Sequence, residues 1–569
     1  MKAIVWRKIL LSLILVFSWH CLNAQEDHVL EAVRRFSGEM DVESLDNDLV
    51  EALYALFRDP VRINTAGQST IQSSGLFTPY QAASLADYIS RHGYICSLTE
   101  LSSVDGFTPE YVETITPFIS LEHIGLNPDQ TRRKVFGEAS LRGGCKVDPL
   151  KDISRYTYAL KARVSFKDRY MLNLSLYEPY DSLRAYPTVY SASFILTHRR
   201  VRIIAGDFNA RFGQGLCLWN TASFSSLTSP STFMKRPSGI SAVNSFTGST
   251  AMTGLASDFT SGRWKVSALV NFPDIKKALR KSALAISPAV NLCRYGRLGH
   301  LAFTQNMTLS EIQSSAFRIP DLMSSVDGSC CLKGVNIFGE ATYDWVRREA
   351  AGVLGAECRA GEYSHLAALV RYLPRKNEHG AAFAMEMNKD GHMMTLSLDA
   401  MYDTRDRAKD GSDAYRVKGQ LNWNWVALSC LELKVRVSER FQTWDNRFKT
   451  QVRSDLVYTS QQWKTVLRLE AVEGVNLACL GYVEGGYIGR RISAYIRYGL
   501  FHVDDWDDRI YVYERDAPGN FNVPAFYGRG MWSSIYISSR FGRWGRAYLR
   551  GILKKPGNAE LKFQFTLLF

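Results

Sequence analysis

Residues 559–569 read AELKFQFTLLF. Leu561, Phe563, Phe565, Leu567 and Phe569 are set among Glu560, Lys562, Gln564 and Thr566. A period of two with one apolar and one polar face describes a strand lying between two different solvents. In a membrane-spanning barrel the apolar face meets lipid and the polar face meets the lumen. The stretch therefore predicts an all-β transmembrane barrel of the bacterial outer-membrane type, with outer-membrane lipid as its first partner.

The opposite end of the chain agrees. Lys2, Arg7 and Lys8 precede an apolar run, Ile9 to Phe17, and Leu22-Asn23-Ala24 offers a cleavage site before Gln25. This is the pattern of a secretory signal peptide over residues 1–24. Cys21 raises a lipoprotein alternative, which the bulky His20 in front of it fits poorly. The apolar run is too short for a membrane-spanning helix, which needs ~20 residues.

At 569 residues the chain has room for several globular domains. Yet 12% aromatics, a mean hydropathy of −0.16 and alternation from residue 131 onward are what one lipid face and one wet face average to. The formal charge of +13 is spread through strands such as CLELKVRVSER (430–440), where Lys and Arg take inward positions. A cationic lumen and a scattered solvated face both fit that pattern. Ten cysteines at irregular spacing specify no disulfide framework, and adjacent Cys330 and Cys331 read as a loop. No cofactor is expected, and no metal-ligand spacing is found.

Three parts follow the signal peptide in outline. Residues 25–128 read as helical, with Val29, Val33 and Phe36, then Leu49, Leu53 and Leu56, at helical spacing. A polar linker, Asn127 to Lys134, leads to the barrel, residues 129–569. There YALKARVSF (158–166), RWKVSALV (263–270), WKTVLRLEAV (463–472) and RISAYIRYGLF (491–501) are clear strands. The count comes to roughly 18–22 antiparallel strands, with both barrel ends on the periplasmic side.

Within the helical part, INTAGQSTIQSSGLFTPYQAASLADYISRHG (63–93) reads as helix, turn, helix, and SLTELSSVDGFTPEYVETITPFISLE (97–122) repeats the pattern. With its lead-in INTA and closing PFISLE, residues 60–122 resemble the tandem helix-hairpin-helix domain of ComEA-type proteins. Such hairpins aim the backbone N–H groups of a Gly-x-Gly turn at DNA phosphates. The candidate contact residues are Gly75, Leu76, Phe77 and Thr78 in one turn, and Gly106, Phe107 and Thr108 in the other. The second glycine is replaced by Phe77 and by Thr108. Arg62 and Arg91 are outnumbered by Asp87, Glu100, Asp105, Glu110 and Glu113. DNA affinity rests on neutralising phosphates with cations, so this acidic module is a poor DNA clamp. A periplasmic protein partner is the stronger expectation, docking on an apolar patch of Phe77, Tyr80 and Phe107 if these face solvent.

Further on, IIAGDFNARFGQGLCLW (203–219) runs into a Ser/Thr-rich segment ending near Thr250, and YVYERDAPGNFNVPAFYGRGMW follows at 511–532. With the hairpin module, these motifs resemble a family of Bacteroidota outer-membrane proteins that fuse a signal peptide, a ComEA-like domain and a large barrel. The resemblance implies architecture and no settled activity. In the motif itself, Gly206, Gly213 and Gly215 permit a sharp bend into the lumen. Asp207, Arg211 and Gln214 are placed to hold an infolded loop, with Phe208, Phe212 and Trp219 as its apolar members. An infolded segment near 206–250 is long enough to constrict the pore; packing at the barrel rim is the alternative.

No catalytic motif is present, and the chain is not expected to be an enzyme. Asp504, Asp505, Asp507 and Asp508 read as a solvated outer loop, with calcium binding the alternative. Two functions remain. One is a channel or transport and secretion component whose periplasmic module docks a partner or gates the barrel. The other is DNA uptake, with the hairpins contacting phosphates.

Overall fold

The computed structural model describes residues 26–37, 42–45, 47–122 and 135–569, except 149–152, 167–168, 181–186, 199, 221–226, 244–250, 263, 273–286, 299–300, 314–319, 333, 375–377, 404–413, 444–445, 490, 543 and 556. The signal peptide, 1–24, and the linker, 127–134, lie outside the described residues.

From Val135 onward the chain forms one closed antiparallel barrel of 24 wall strands. The last strand, Ala559–Leu568, pairs with the first, Val135–Asp148, and closes the wall. In the last strand Phe563 is 52% exposed, whereas Gln564 is 3% and Thr566 0% exposed. The same division runs around the wall: Leu172, Leu255, Leu354, Leu469 and Ile496 point outward, and Asn173, Asp258, Glu340, Arg453 and Glu484 point inward and are buried. The outward apolar band is a lipid surface, so the barrel spans a membrane.

The strand number exceeds the expected range of 18–22. The additional strands include Ser287–Leu298, Leu301–Gln313 and Pro320–Leu332 among the 24. Cys330 and Cys331, expected in a loop, lie in the last of these and pair with Ile337 and Asn336. Connections at one end are tight turns, as between Lys389 and His392; the other end carries the long ones, 212–251 and 504–527.

The module ahead of the barrel contains helices Glu26–Ser37, Asn47–Arg58, Gln68–Ser73, Pro79–His92, Leu98–Leu101 and Pro109–Ile115. Asn64 explains why its short motifs recur together. Its amide donates to the carbonyls of Ile95 and Leu121, both at 2.9 Å, and accepts from the N–H of Ile95. It thereby ties the lead-in, the middle and the close of the module into one core. In the turns, Gly75 and Gly106 take positive φ of 74° and 86°. The two turns register on Phe-Thr-Pro rather than on their glycines. Phe77 matches Phe107, with ring centroids 5.9 Å apart, and Thr78 and Thr108 cap the helices that follow. The expected equivalence of Phe77 with Thr108 is thus corrected, because the first turn is one residue longer.

Candidate functional site in the barrel lumen

The module does not stand free of the barrel. Arg58 pairs with Glu138, Glu51 lies 3.3 Å from Lys161, and Asp59 lies 3.8 Å from Arg163, all on the first two wall strands. Gln72 accepts from the Lys265 ammonium at 2.9 Å on another arc of the wall. Glu43 meets a third arc, where Arg453 lies 3.1 Å away with Arg468 beside it. Side chains that reach inward residues on three separated arcs place the module inside the lumen. Inward Lys and Arg of the wall meet acidic residues of the module, which the alternating pattern of the strands permits but does not pair.

Glu43 is the centre of this arrangement. Arg453 and Arg468 sit midway along strands Arg447–Thr459 and Trp463–Glu473, and are themselves held by Glu470 at 3.0 Å and Asp455 at 2.6 Å. The Tyr513 N–H, from the long connection 504–527, donates to the same Glu43 carboxylate at 3.1 Å. Module, wall and long connection therefore converge on one buried carboxylate. Burial alone would raise its pKa, but the guanidiniums of Arg468 and Arg453 outweigh it and hold the carboxyl well below its usual range. The 513–516 stretch is fixed in turn: Glu514 accepts from Trp532 Nε1 at 2.9 Å, Arg515 lies 2.9 Å from Glu484, and Asp516 pairs with Arg550.

The glycine-rich motif folds inward. Strand Val201–Arg211 pairs with Met252–Ser261 along Val201–Phe208, then its tip, Phe208–Arg211, turns to pair with Gly239–Ala242. The bend occurs at Gly206, at φ 105°, where an added Cβ would come within 2.2 Å of the Ala192 carbonyl oxygen. Asp207 secures it, accepting from the Ala192 N–H at 3.1 Å and from the Thr253 hydroxyl. Beyond the bend, the turn at Gly213 and Gly215 wraps the carboxylate of Glu340, a wall residue. Glu340 accepts the N–H groups of Gln214, Leu216 and Cys217 at 2.6, 3.0 and 3.2 Å. This is an anion nest built by glycine-permitted backbone and filled by a side chain of the same chain. The Gln214 side chain accepts from the Lys235 N–H at 3.0 Å, while the Lys235 ammonium lies 4.9 Å from the Trp219 ring centre, with the Arg211 guanidinium 6.0 Å away. Phe208 and Phe212 are buried in the apolar cluster beneath. Arg236, from the same infolded segment, sits over the rings of Phe36 and Tyr111 of the module.

Sequence reasoning named the glycine motif but missed its occupant, Glu340, and missed Glu43, Arg453 and Arg468. Alternation in GVNIFGEATY turns Glu340 inward, but nothing local names its partner.

The hairpin turns show what their residues are used for. Leu76 and Phe77 are fully buried and Phe107 is nearly so, hence the apolar docking patch expected there is core. The N–H groups of Gly75 and Phe107 donate to Gln72 and Val104 carbonyls, and that of Leu76 to the Ser74 hydroxyl. Tyr80 stacks so closely on Gly106 that a Cβ there would meet its ring at 2.6 Å. Near the other end of the barrel, Asp504 pairs with Arg529, Asp505 caps its own turn, and Asp508 accepts the N–H groups of Val475 and Asn476. Among the described residues no group of acids, His or Cys converges on a metal position.

No family model matches the chain, and no curated protein matches it. Among solved structures, it is similar to the P pilus usher (PapC) translocation pore, at 8% identity over 76% of this chain and 99% of that one, with a TM-score of 0.40. It is also similar to the siderophore receptor PirA from Acinetobacter baumannii, at 6% identity over 77% of this chain and 81% of that one, with a TM-score of 0.39. The copper transporter OprC gives 10% identity over 76% and 80%, with a TM-score of 0.36. The lipid-facing wall and the occupied lumen themselves define the class: a membrane-spanning β-barrel filled by its own N-terminal helices and infolded connections.

Proposed function

We propose that this chain is an outer-membrane transport barrel held shut by its own N-terminal helical module, with the tight-turn end in the periplasm. The observation that carries the reading is the convergence of module, wall and outer connection on the buried Glu43 carboxylate. An interior closed by several buried charge pairs is a poor place for static filling, because replacing such pairs by apolar packing is often neutral or stabilising. Charge pairs can separate into water, which suits a plug that is released. The infolded residues 206–220 and 227–243 add a constriction above it. A periplasmic protein partner would reach the module on its exposed side, where Tyr94 and Leu98 stand out of the core. The internal use of the turn N–H groups supports this plug over the DNA-uptake alternative.

The test is single-channel conductance of the full chain in planar bilayers. Wild type is expected to stay closed, and Glu43→Lys, which sets a cation against Arg453 and Arg468, to open long-lived pores. Wild-type pores indistinguishable from those of the variant would overturn the plug.

A further inference from the structure

On the inner wall, opposite charges face each other across neighbouring strands at Arg453 and Glu470, Asp455 and Arg468, and Glu484 and Arg497. One row departs from this pattern. Lys418 faces Arg440, and Arg440 faces Lys449, on the consecutive strands Ala414–Leu428, Leu431–Gln442 and Arg447–Thr459. Val417, Val437 and Phe448 of these strands point outward, so the alternation turns the three cations into the lumen. Arg416 and Arg447, each two residues nearer the rim, extend the patch.

Like charges set directly opposite one another destabilise a sheet. Acids near this row are committed elsewhere. Asp399, the register partner of Lys418, pairs with Arg371 at 2.6 Å. Asp508 accepts the N–H groups of Val475 and Asn476, and Lys449 donates to the Asp507 carbonyl rather than to a carboxylate. The Asp507 carboxylate lies 4.0 Å from Arg447, at the rim. Strand Ala414–Leu428 itself has no acidic residue. The row therefore keeps a surplus of positive charge. Arg416, Lys418, Arg440 and Lys449 are only half-buried and Arg447 is exposed, so solvent reaches the patch. It lies at the end of the barrel that carries the long connections, four residues beyond the Arg453 that holds Glu43.

We propose that this patch is a capture site for a multivalent oxyanion, bound at the mouth of the lumen above the helical module. Cations on adjacent strands, and two residues apart along a strand, are separated by about 5–7 Å. That spacing suits a ligand carrying several phosphate or carboxylate groups and offers a single anionic group little advantage. The inference rests on the transport reading, which puts this end outside the cell. Binding itself does not require the module to leave.

The test titrates the full chain, in a neutral detergent, with sodium tripolyphosphate, citrate and orthophosphate at equal ionic strength, read by calorimetry. Tripolyphosphate or citrate is expected to bind at least about tenfold tighter than orthophosphate and to weaken with added salt. The tighter of the two names the anionic group of the ligand. The double variant Lys418→Gln/Arg440→Gln should lose at least about tenfold in affinity. It removes facing like charges, so it is expected to fold. Arg529→Gln, which removes an exposed cation from the outward face at the same end, should leave the affinity unchanged. A second measurement needs no variant: bound anion should protect Lys418 and Lys449 from acetylation several-fold and leave Lys389, beside a turn at the opposite end, unprotected. Equal affinity for the three anions, equal loss in Arg529→Gln, or equal protection of the three lysines would overturn the site. Calorimetry and acetylation read binding whether or not conductance finds the plug, so the two failures are told apart.

Discussion

Glu43 and Arg453, 410 residues apart in the chain, meet at 3.1 Å inside the barrel, with both side chains buried. Breaking a buried pair from one side leaves a guanidinium with a weakened complement, and such losses run to roughly 3–5 kcal/mol. Glu43→Gln is therefore expected to increase release of the module roughly a hundredfold, equivalent to about 3 kcal/mol. Limited proteolysis of residues 26–122 in folded barrels measures it.

The pH dependence of docking follows from the same residue. A carboxyl held below its ordinary value of 4.5 stabilises the docked form fully above that value and loses this contribution as pH falls through the lowered one. Docking should hold unchanged from neutral pH to about 5 and weaken only in stronger acid. In Glu43→Gln that acid-dependent part should be absent. Proteolysis across a pH series with an acid-tolerant protease reads both.

Glu340→Ala removes the acceptor for three backbone N–H groups of the infolded turn. An orphaned buried donor costs about 1–3 kcal/mol. Hydrogen exchange at Gln214, Leu216 and Cys217 should accelerate at least about tenfold, with the lipid-facing strands unaffected. Unchanged exchange would show that the turn holds itself.

Gly206→Ala places a methyl against the Ala192 carbonyl in a backbone conformation that L residues rarely take. Strain of this kind costs on the order of 1–3 kcal/mol. Lower folded yield and a lower denaturant midpoint are expected, and an unaltered midpoint would contradict the bend as drawn.

Phe563→Arg tests the orientation of the last strand. An arginine on the lipid face near mid-membrane costs about 2–4 kcal/mol. The same change at inward Gln564, beside Arg142, acts through charge crowding instead. Only the first penalty should disappear when lipid is replaced by a detergent that lets water reach the guanidinium.

The barrel was legible in the sequence because its signal is local. Alternation at Leu561, Phe563 and Phe565 needs no knowledge of any other strand, since a pleated strand sends neighbouring side chains to opposite faces. The bend at Gly206 and the turns at Gly75 and Gly106 were legible for the same reason: a glycine acts within a few residues of itself. The capping by Thr78 and Thr108 was not read, and the turns were aligned on their glycines instead. Strand number was less so, because alternation marks each strand but the boundary between a strand and a connection is not a local pattern.

The sequence by itself determined which faces each strand presents and where the chain turns. Only the tertiary structure decided what fills the lumen. Closure of the wall sets which inward side chains come together, so Glu340 meets a turn 126 residues away and Glu43 meets Arg453 and Arg468. Those pairings depend on the register and circumference of the whole barrel, and no local pattern encodes them.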